Sequence, residues 1–253
     1  MKQNPPEIIV CNGPDDFARK AARRFLEIGE TTISAKGRVH VALSGGKTPP
    51  ALFRLLATDK FRRRIDWSRV HVFWGDERCV PPDDMRSNYR MAYETLISKV
   101  EIPEGNIHRI KGERGEEAAD EYEEEIKRVF HIGEGAFPEF DLMLQGLGED
   151  GHTASLFPGT GAVREERRIV TSVSPETVET TRITLTPPIL NSALNVLFLV
   201  SGGKKAAVLR EVIEGEYRPD RFPAQIARHS KGRVQWYMDR EAAAILMQGS
   251  GEQ

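Results

Sequence analysis

The sequence predicts an α/β fold in which helices cover both faces of a mostly parallel sheet, with room for a small inserted lobe. Three observations carry the prediction. Short apolar runs alternate along the chain with segments of helical period. Runs such as Asn195 to Val200 (NVLFLV) are apolar without interruption, as a strand must be when both of its faces are covered. No internal repeat or low-complexity linker divides the 253 residues, so 1–253 is read as one α/β domain.

In chain order, Glu7 to Val10 reads as the first strand, and Asp15 to Ile28 sets Phe17, Ala21, Phe25 and Ile28 on one helical face. Val39 to Leu43 (VHVAL) is a strand, Pro49 to Ala57 a helix, and Val70 to Trp74 (VHVFW) a strand. Arg86 to Ser98 reads as a helix with Tyr89, Tyr93 and Leu96 about one turn apart. Gly112 to Gly115 is a loop. Glu116 to Phe130 is a helix whose stripe of Ala119, Tyr122, Ile126 and Phe130 opposes a solvated face of Glu and Lys. After a loop at Gly133 to Pro138 come strands at Asp141 to Gln145 (DLMLQ), Arg182 to Leu185 and Asn195 to Val200. A helix at Ala206 to Ile213, a strand at Val234 to Met238 and a helix at Arg240 to Met247 close the chain.

The formal net charge is −2 with acids and bases well mixed, which gives no electrostatic footprint for nucleic acid or an anionic membrane. An anionic ligand therefore requires basic residues gathered locally. Cys11 and Cys79 form no metal-ligand spacing and are too few for a disulfide framework, so a reducing compartment is expected. The opening residues MKQNPPEIIV lack a basic region followed by a long apolar run, and no stretch approaches the roughly 18 apolar residues of a membrane helix. The expected protein is cytoplasmic, a monomer or weak homo-oligomer, with no metal and no cofactor.

In an open parallel sheet, ligands sit beyond the carboxyl ends of the strands. Four such loops carry unusual chemistry. After VHVAL come Ser44, Gly45, Gly46, Lys47 and Thr48, ahead of Pro49. The glycines let the backbone approach an anion, and Thr48 is placed to cap a helix whose N-terminus offers N–H groups to a phosphate. A nucleotide P-loop needs glycine where Val41 stands, so that reading fails. After VHVFW come Asp76, Glu77 and Arg78, and burying such charges is costly unless they are paired. Arg78 serves either a surface salt-bridged turn or the stabilisation of an oxyanion. Cys79 beside it reads as a packing residue.

After DLMLQ, Gly146 to Gly151 matches G-x-G-x-x-G in form. The helix and distant acid of a dinucleotide site are missing, since Pro158-Gly159 intervenes and Thr171 and Ser172 fall where the acid belongs. The same loop holds Asp150 and His152, a titratable pair on a turn. A neutral imidazole, with a reference pKa of about 6.5, accepts a proton from water near neutral pH. After NVLFLV come Ser201, Gly202, Gly203, Lys204 and Lys205. Lys204 and Arg182 supply local positive charge, whereas Lys205 reads as a solvated lysine. A lysine at a helix start opposes the helix dipole, and an anion there compensates.

Together these loops resemble the 6-phosphogluconolactonase family, within the wider group that includes glucosamine-6-phosphate deaminases. The matching segments are ALSGGKTP (Ala42 to Pro49), FWGDER (Phe73 to Arg78), SNY (Ser87 to Tyr89) and GLGEDGHTASLFPG (Gly146 to Gly159). RITLTPPILN (Arg182 to Asn191) and SGGKKA (Ser201 to Ala206) follow in the same order. The resemblance implies a modified Rossmann-like sheet and hydrolysis of 6-phosphoglucono-δ-lactone to 6-phosphogluconate, without metal or nucleotide. It assigns Ser44, Gly45, Gly46, Lys47, Thr48, Arg182 and Lys204 to the phosphate, and His152, Asp150 and Arg78 to the reacting end. Asp76 joins the substrate contacts. The deaminases carry a further glutamate five residues beyond the histidine, where this chain has Phe157. The rival expectations are therefore an amino-sugar-phosphate deaminase, disfavoured by Phe157, and a non-catalytic sugar-phosphate sensor, disfavoured by the intact Asp150 and His152.

Overall fold

The computed structural model describes residues 6–176 and 178–249. The reading of the first ten residues rests in part on residues 1–5, which lie outside that range. Among the described residues the strands form two sheets, one of six strands and one of three.

The first strand, β1 (Glu7–Cys11), leads into a long helix, α1 (Pro14–Lys36), which outlasts its expected end at Ile28 and stops on Gly37 in a left-handed C-cap. Phe17, Ala21, Phe25 and Ile28 form its buried face. Next come β2 (Val39–Leu43), α2 (Pro49–Leu56), the single turn α3 (Asp59–Arg62), β3 (Val70–Trp74) and β4 (Asp76–Arg78). Helix α4 covers only Asn88–Thr95 of the expected Arg86 to Ser98. The side chain of Ser87 caps it by accepting from the Arg90 N–H, and this fixes its start two residues late. The segment Gly112–Glu117, expected as a loop up to Gly115, is a 3₁₀ helix kinked at Gly115 that runs into α5 (Ala118–Phe130).

The remaining elements are β5 (Leu142–Gln145), β6 (Val170–Val173), β7 (Arg182–Leu185), α6 (Pro187–Ser192), β8 (Asn195–Val200), α7 (Ala206–Ile213), β9 (Arg233–Asp239) and α8 (Arg240–Gly249). The larger sheet has the order β1-β9-β8-β5-β2-β3 and every pairing in it is parallel. Full burial of β2 and near-full burial of β8 match their uninterrupted apolar sequences. The chain travels outward from β2 to β3, then returns to build β5, β8 and β9 on the other side. The reversal falls between β2 and β5, where an open α/β sheet leaves a crevice. The smaller, antiparallel sheet β4-β7-β6 grows from the end of β3 through Gly75, whose carbonyl accepts from the Leu185 N–H. No described helix is long and apolar enough to cross a membrane.

At the opposite end of β2 and β3, three histidines are packed among phenylalanines. His71 Nδ1 lies 3.1 Å from His108 Nε2, and His108 Nδ1 lies 2.7 Å from Glu125. The Glu125 carboxylate requires Nδ1 of a neutral His108 to carry its proton, so Nε2 of that ring accepts from His71. Burial, with the charges of His40, His108 and Arg38 adding to it, pushes the His71 pKa down to about 4. Between pH 6.5 and 4 the unfolded chain therefore binds more protons than the folded one. Stability from this group is full above pH 6.5 and is lost as the pH falls through that window. Allowing for partial exposure, the loss by pH 5 is about 1 kcal/mol. Urea midpoints at pH 7 and pH 5 are expected to differ accordingly, and His71→Phe to shrink the difference.

Candidate active site

A cleft of about 140 Å³ lies at the carboxyl ends of β8, β5, β2 and β3, four consecutive neighbours in the sheet. Each strand delivers one wall. The loop after β2 contributes Ser44 to Thr48, and the continuation of β3 contributes Asp76 and Arg78. The loop after β5 contributes Gly146, Leu147, His152 and Ala154, and the β8 side contributes Leu199 and Lys205.

His152 Nδ1 stands 2.6 Å from Asp150 Oδ1, and the same oxygen accepts the His152 backbone N–H at 3.1 Å. Nε2 is left as the ring nitrogen with no protein partner among the described residues. Burial opposes ionisation of Asp150, but the hydrogen bonds and charge of His152 outweigh it and hold the carboxyl below its usual range. The aromatic ring of Phe157 packs on the imidazole with centroids 4.5 Å apart. This is the position where the deaminase pattern has its glutamate. A side chain on Gly148 would overlap His152 Nδ1 and the Asp150 carboxylate, so absence of a Cβ there lets the pair form. Gly148→Ala is expected to keep its fold by circular dichroism yet lose at least about tenfold in turnover by displacing the imidazole.

The loop that carries His152 is anchored from below. The Thr153 hydroxyl donates to Gln145 Oε1 at 2.9 Å, and the Ser155 hydroxyl donates to Asp76 Oδ2 at 2.7 Å. Between them Ala154 is held at φ 47°, a left-handed conformation that costs a non-glycine residue about 1 kcal/mol. The Asn88 side-chain amide donates to the Asp76 carbonyl at 2.9 Å and reaches its carboxylate at 3.3 Å. Gly45 leaves space for Asn88, because a Cβ on Gly45 would overlap the amide. Asp76 therefore ties the continuation of β3 to the His152 loop and to the start of α4 at the edge of the cleft.

Glu77 is 2% exposed, and sequence reasoning gave it no role. Its carboxylate accepts from the backbone N–H groups of Arg78, Asn88 and Tyr89 and from the Ser87 hydroxyl. It thus binds strand β4 to the start of α4. The DER segment is consequently a strand with a buried anchor rather than a surface salt-bridged turn. Arg78 donates to the Arg86 carbonyl and projects into the cleft wall.

Four placements differ from expectation. Lys204 is exposed and does not line the cleft, whereas Lys205 does. The 3₁₀ turn Gly203–Lys205 separates two adjacent lysines into an outward and an inward one. Burial pushes the Lys205 ammonium pKa down, against the charges of Glu149 and Asp239. Arg182 also lies outside the lining. It sits opposite Arg78 in the β4–β7 register, and burial together with the Arg78 charge pushes its pKa down. Two like charges facing each other across strands are unfavourable, and the Asp76 and Glu77 charges offset part of that repulsion. Thr48 makes no side-chain cap on α2, and its hydroxyl bonds Ser201 at 2.9 Å instead. Finally, α2 begins with Pro49 and Pro50, which have no N–H. The helix start thus offers fewer donors, and the preceding loop supplies others: the N–H groups of Gly45, Gly46, Lys47 and Thr48 find no protein acceptor among the described residues.

Sheet, crevice and residues together define a doubly wound α/β protein whose ligand cleft sets an Asp-oriented histidine opposite an anion-receptive glycine loop. The family model described as glucosamine-6-phosphate isomerases/6-phosphogluconolactonase matches residues 12–236, and the chain belongs to that family. The chain is 41% identical over 216 residues to a 6-phosphogluconolactonase of Synechocystis sp., covering 85% of this chain and 87% of the relative. It is 37% identical over 219 residues to one from Nostoc sp., covering 86% and 88%. The solved structure of 6-phosphogluconolactonase from Trypanosoma cruzi superposes with a TM-score of 0.85 at 32% identity, covering 97% of this chain and 98% of that one.

Proposed function

We propose that this enzyme hydrolyses 6-phospho-D-glucono-1,5-lactone to 6-phospho-D-gluconate, the second step of the oxidative pentose phosphate pathway. The observation that carries the reading is the His152 ring, fixed through Nδ1 by Asp150 with Nε2 left for water. Nε2 takes a proton from water as the oxygen attacks the lactone carbonyl. Arg78 stabilises the oxyanion of the tetrahedral intermediate. On collapse the bond from the carbonyl carbon to the ring oxygen breaks, and protonated His152 returns its proton to that oxygen. The new carboxylic acid then ionises into solvent. Asp150 holds the imidazole in the productive tautomer and steadies its charge.

The phosphate is assigned to the N–H groups of Gly45 to Thr48 and to Lys205, with Ser44 and Lys47 beside them and Arg182 contributing charge from behind Arg78. Binding the remote phosphate fixes the carbonyl against His152, so binding energy becomes positioning. Asp76 supports the His152 loop and faces the sugar. On this reading the enzyme works in the cytoplasm as one α/β domain, a monomer or weak homo-oligomer acting on a small soluble substrate.

The test generates the phosphorylated lactone in situ at mildly acidic pH and follows acid release. Acid release is expected well above the spontaneous rate, and glucosamine 6-phosphate is expected to yield no ammonia. Acid release at the background rate would refute the assignment.

A further inference from the structure

Sharing no lining residue with the cleft, a groove of about 700 Å³ runs between α1 on one side and α2 with α3 on the other. Its floor is apolar. Ala18 and Phe61 are buried there, Leu55 is half-buried, and Ala51 is exposed one turn before Leu55 on α2. Around it stand five cations, Arg19, Arg23, Arg54, Lys60 and Arg64, against one carboxylate, Asp15. Arg64 is engaged by Glu30 through two hydrogen bonds. Arg19, Arg23, Arg54 and Lys60 make no hydrogen bond or salt bridge among the described residues. Neighbouring cations of the same helices are paired, Lys20 with Asp16 and Arg62 with Asp59. The concentration is notable on a chain whose formal net charge is −2.

We propose that this groove docks an acidic amphipathic helix of a partner protein. The apolar floor favours an occupant with an apolar face over a hydrated inorganic anion. The overall negative charge disfavours an extended polyanion or an anionic bilayer, because both would also face the acidic remainder of the surface. The α1 side of the groove runs from Pro14 to Arg23, about 14 Å at the helical rise, which suits two to three turns of a docked helix. Such a helix lays apolar residues spaced i, i+3, i+4, i+7 on Ala18, Leu55 and Phe61 and points flanking carboxylates at the four unpaired cations. The floor supplies affinity, while the rim sets orientation and encounter rate.

The probe is a fluorescein-labelled 14-residue peptide with Leu at i, i+3, i+4 and i+7 and Glu on the remaining face, titrated against the full chain by anisotropy. Saturable binding is expected that weakens markedly between 50 and 300 mM NaCl. Arg19→Glu with Arg54→Glu is expected to weaken it about tenfold. Ala51→Glu, an exposed position on α2, plants a carboxylate on the floor and is expected to have a similar effect. Unchanged lactone hydrolysis shows that both variants are folded, since none of these residues belongs to the cleft. Equal binding of a Gln-for-Glu peptide, or undiminished binding by the folded variants, would overturn the proposal. So would tighter, equally charge-dependent binding of single-stranded DNA or phosphatidylserine vesicles, which would mark the groove as a nucleic-acid or membrane site.

Discussion

His152→Ala is expected to lower kcat by about a thousandfold, the range that a positioned general base contributes, while leaving KM within a few-fold of wild type. The split follows from where the groups lie. His152 is on the β5 wall, whereas the glycine loop and Lys205 come from β2 and β8, so removing the imidazole leaves the anion contacts in place. Rates must be read above spontaneous lactone hydrolysis, with circular dichroism confirming the fold because Phe157 loses the ring packed against it. Asp150→Asn retains the shape of the turn but offers the ring a weaker and differently directed partner, and is expected to fall between wild type and His152→Ala. Turnover near the wild-type rate in His152→Ala would remove the histidine from the mechanism and turn attention to Arg78 and a water oriented without a base.

The second large effect is expected at Lys205, and its value lies in contrast with its neighbour. Lys205→Ala removes a partly buried ammonium from the cleft wall and is expected to lower kcat/KM by about ten- to a hundredfold, the worth of a hydrogen bond to a charged group. The loss should appear chiefly as a raised KM. Lys204→Ala removes an exposed charge and is expected to stay within about twofold. Inorganic phosphate, a competitor for the same donors, should inhibit wild type and Lys204→Ala similarly and Lys205→Ala less. The reverse ranking of the two lysines would return the phosphate to the residue that sequence reasoning chose.

The differing placement of the two lysines shows where legibility ends. The strands of the parallel sheet could be read because burial on both faces leaves a one-dimensional signature, as in Val39 to Leu43 and Asn195 to Val200. The strand-end loops were legible for a related reason, since their glycines and charges fit poorly in any other setting. The smaller sheet was legible only at β7, which has the bounds expected for Arg182 to Leu185, and not at β4 or β6. Its strand β4 reads Asp-Glu-Arg, and its burial depends on four donors to Glu77, most of them from Ser87 to Tyr89 and remote in sequence. The serine before Asn88 was the one local trace, as a cap signal that also shortens α4. Strand β6, with Thr171 and Ser172 at its centre, has no apolar run to announce it. Whether Lys204 or Lys205 faces inward depends on a single 3₁₀ turn, which no periodicity over two residues can resolve. Asn88 lies within a matching motif, yet its position in the cleft wall depends on the space left by Gly45, a contact remote in sequence.

The hydroxyl pair Thr48 and Ser201 bridges the two glycine loops, and either oxygen can supply the shared proton. On the phosphate assignment proposed above, an anion at the β2 loop would accept from Thr48 while Ser201 donates to Thr48. The bridge would then run from Ser201 to Thr48, and no heavy atom would have to move. The site would thus gain a donor on capture by spinning two hydrogens about single bonds, an adjustment far faster than any loop rearrangement and free of its ordering entropy. Replacing either hydroxyl would remove the bridge between the two loops, and its cost would fall on ligand capture more than on folding.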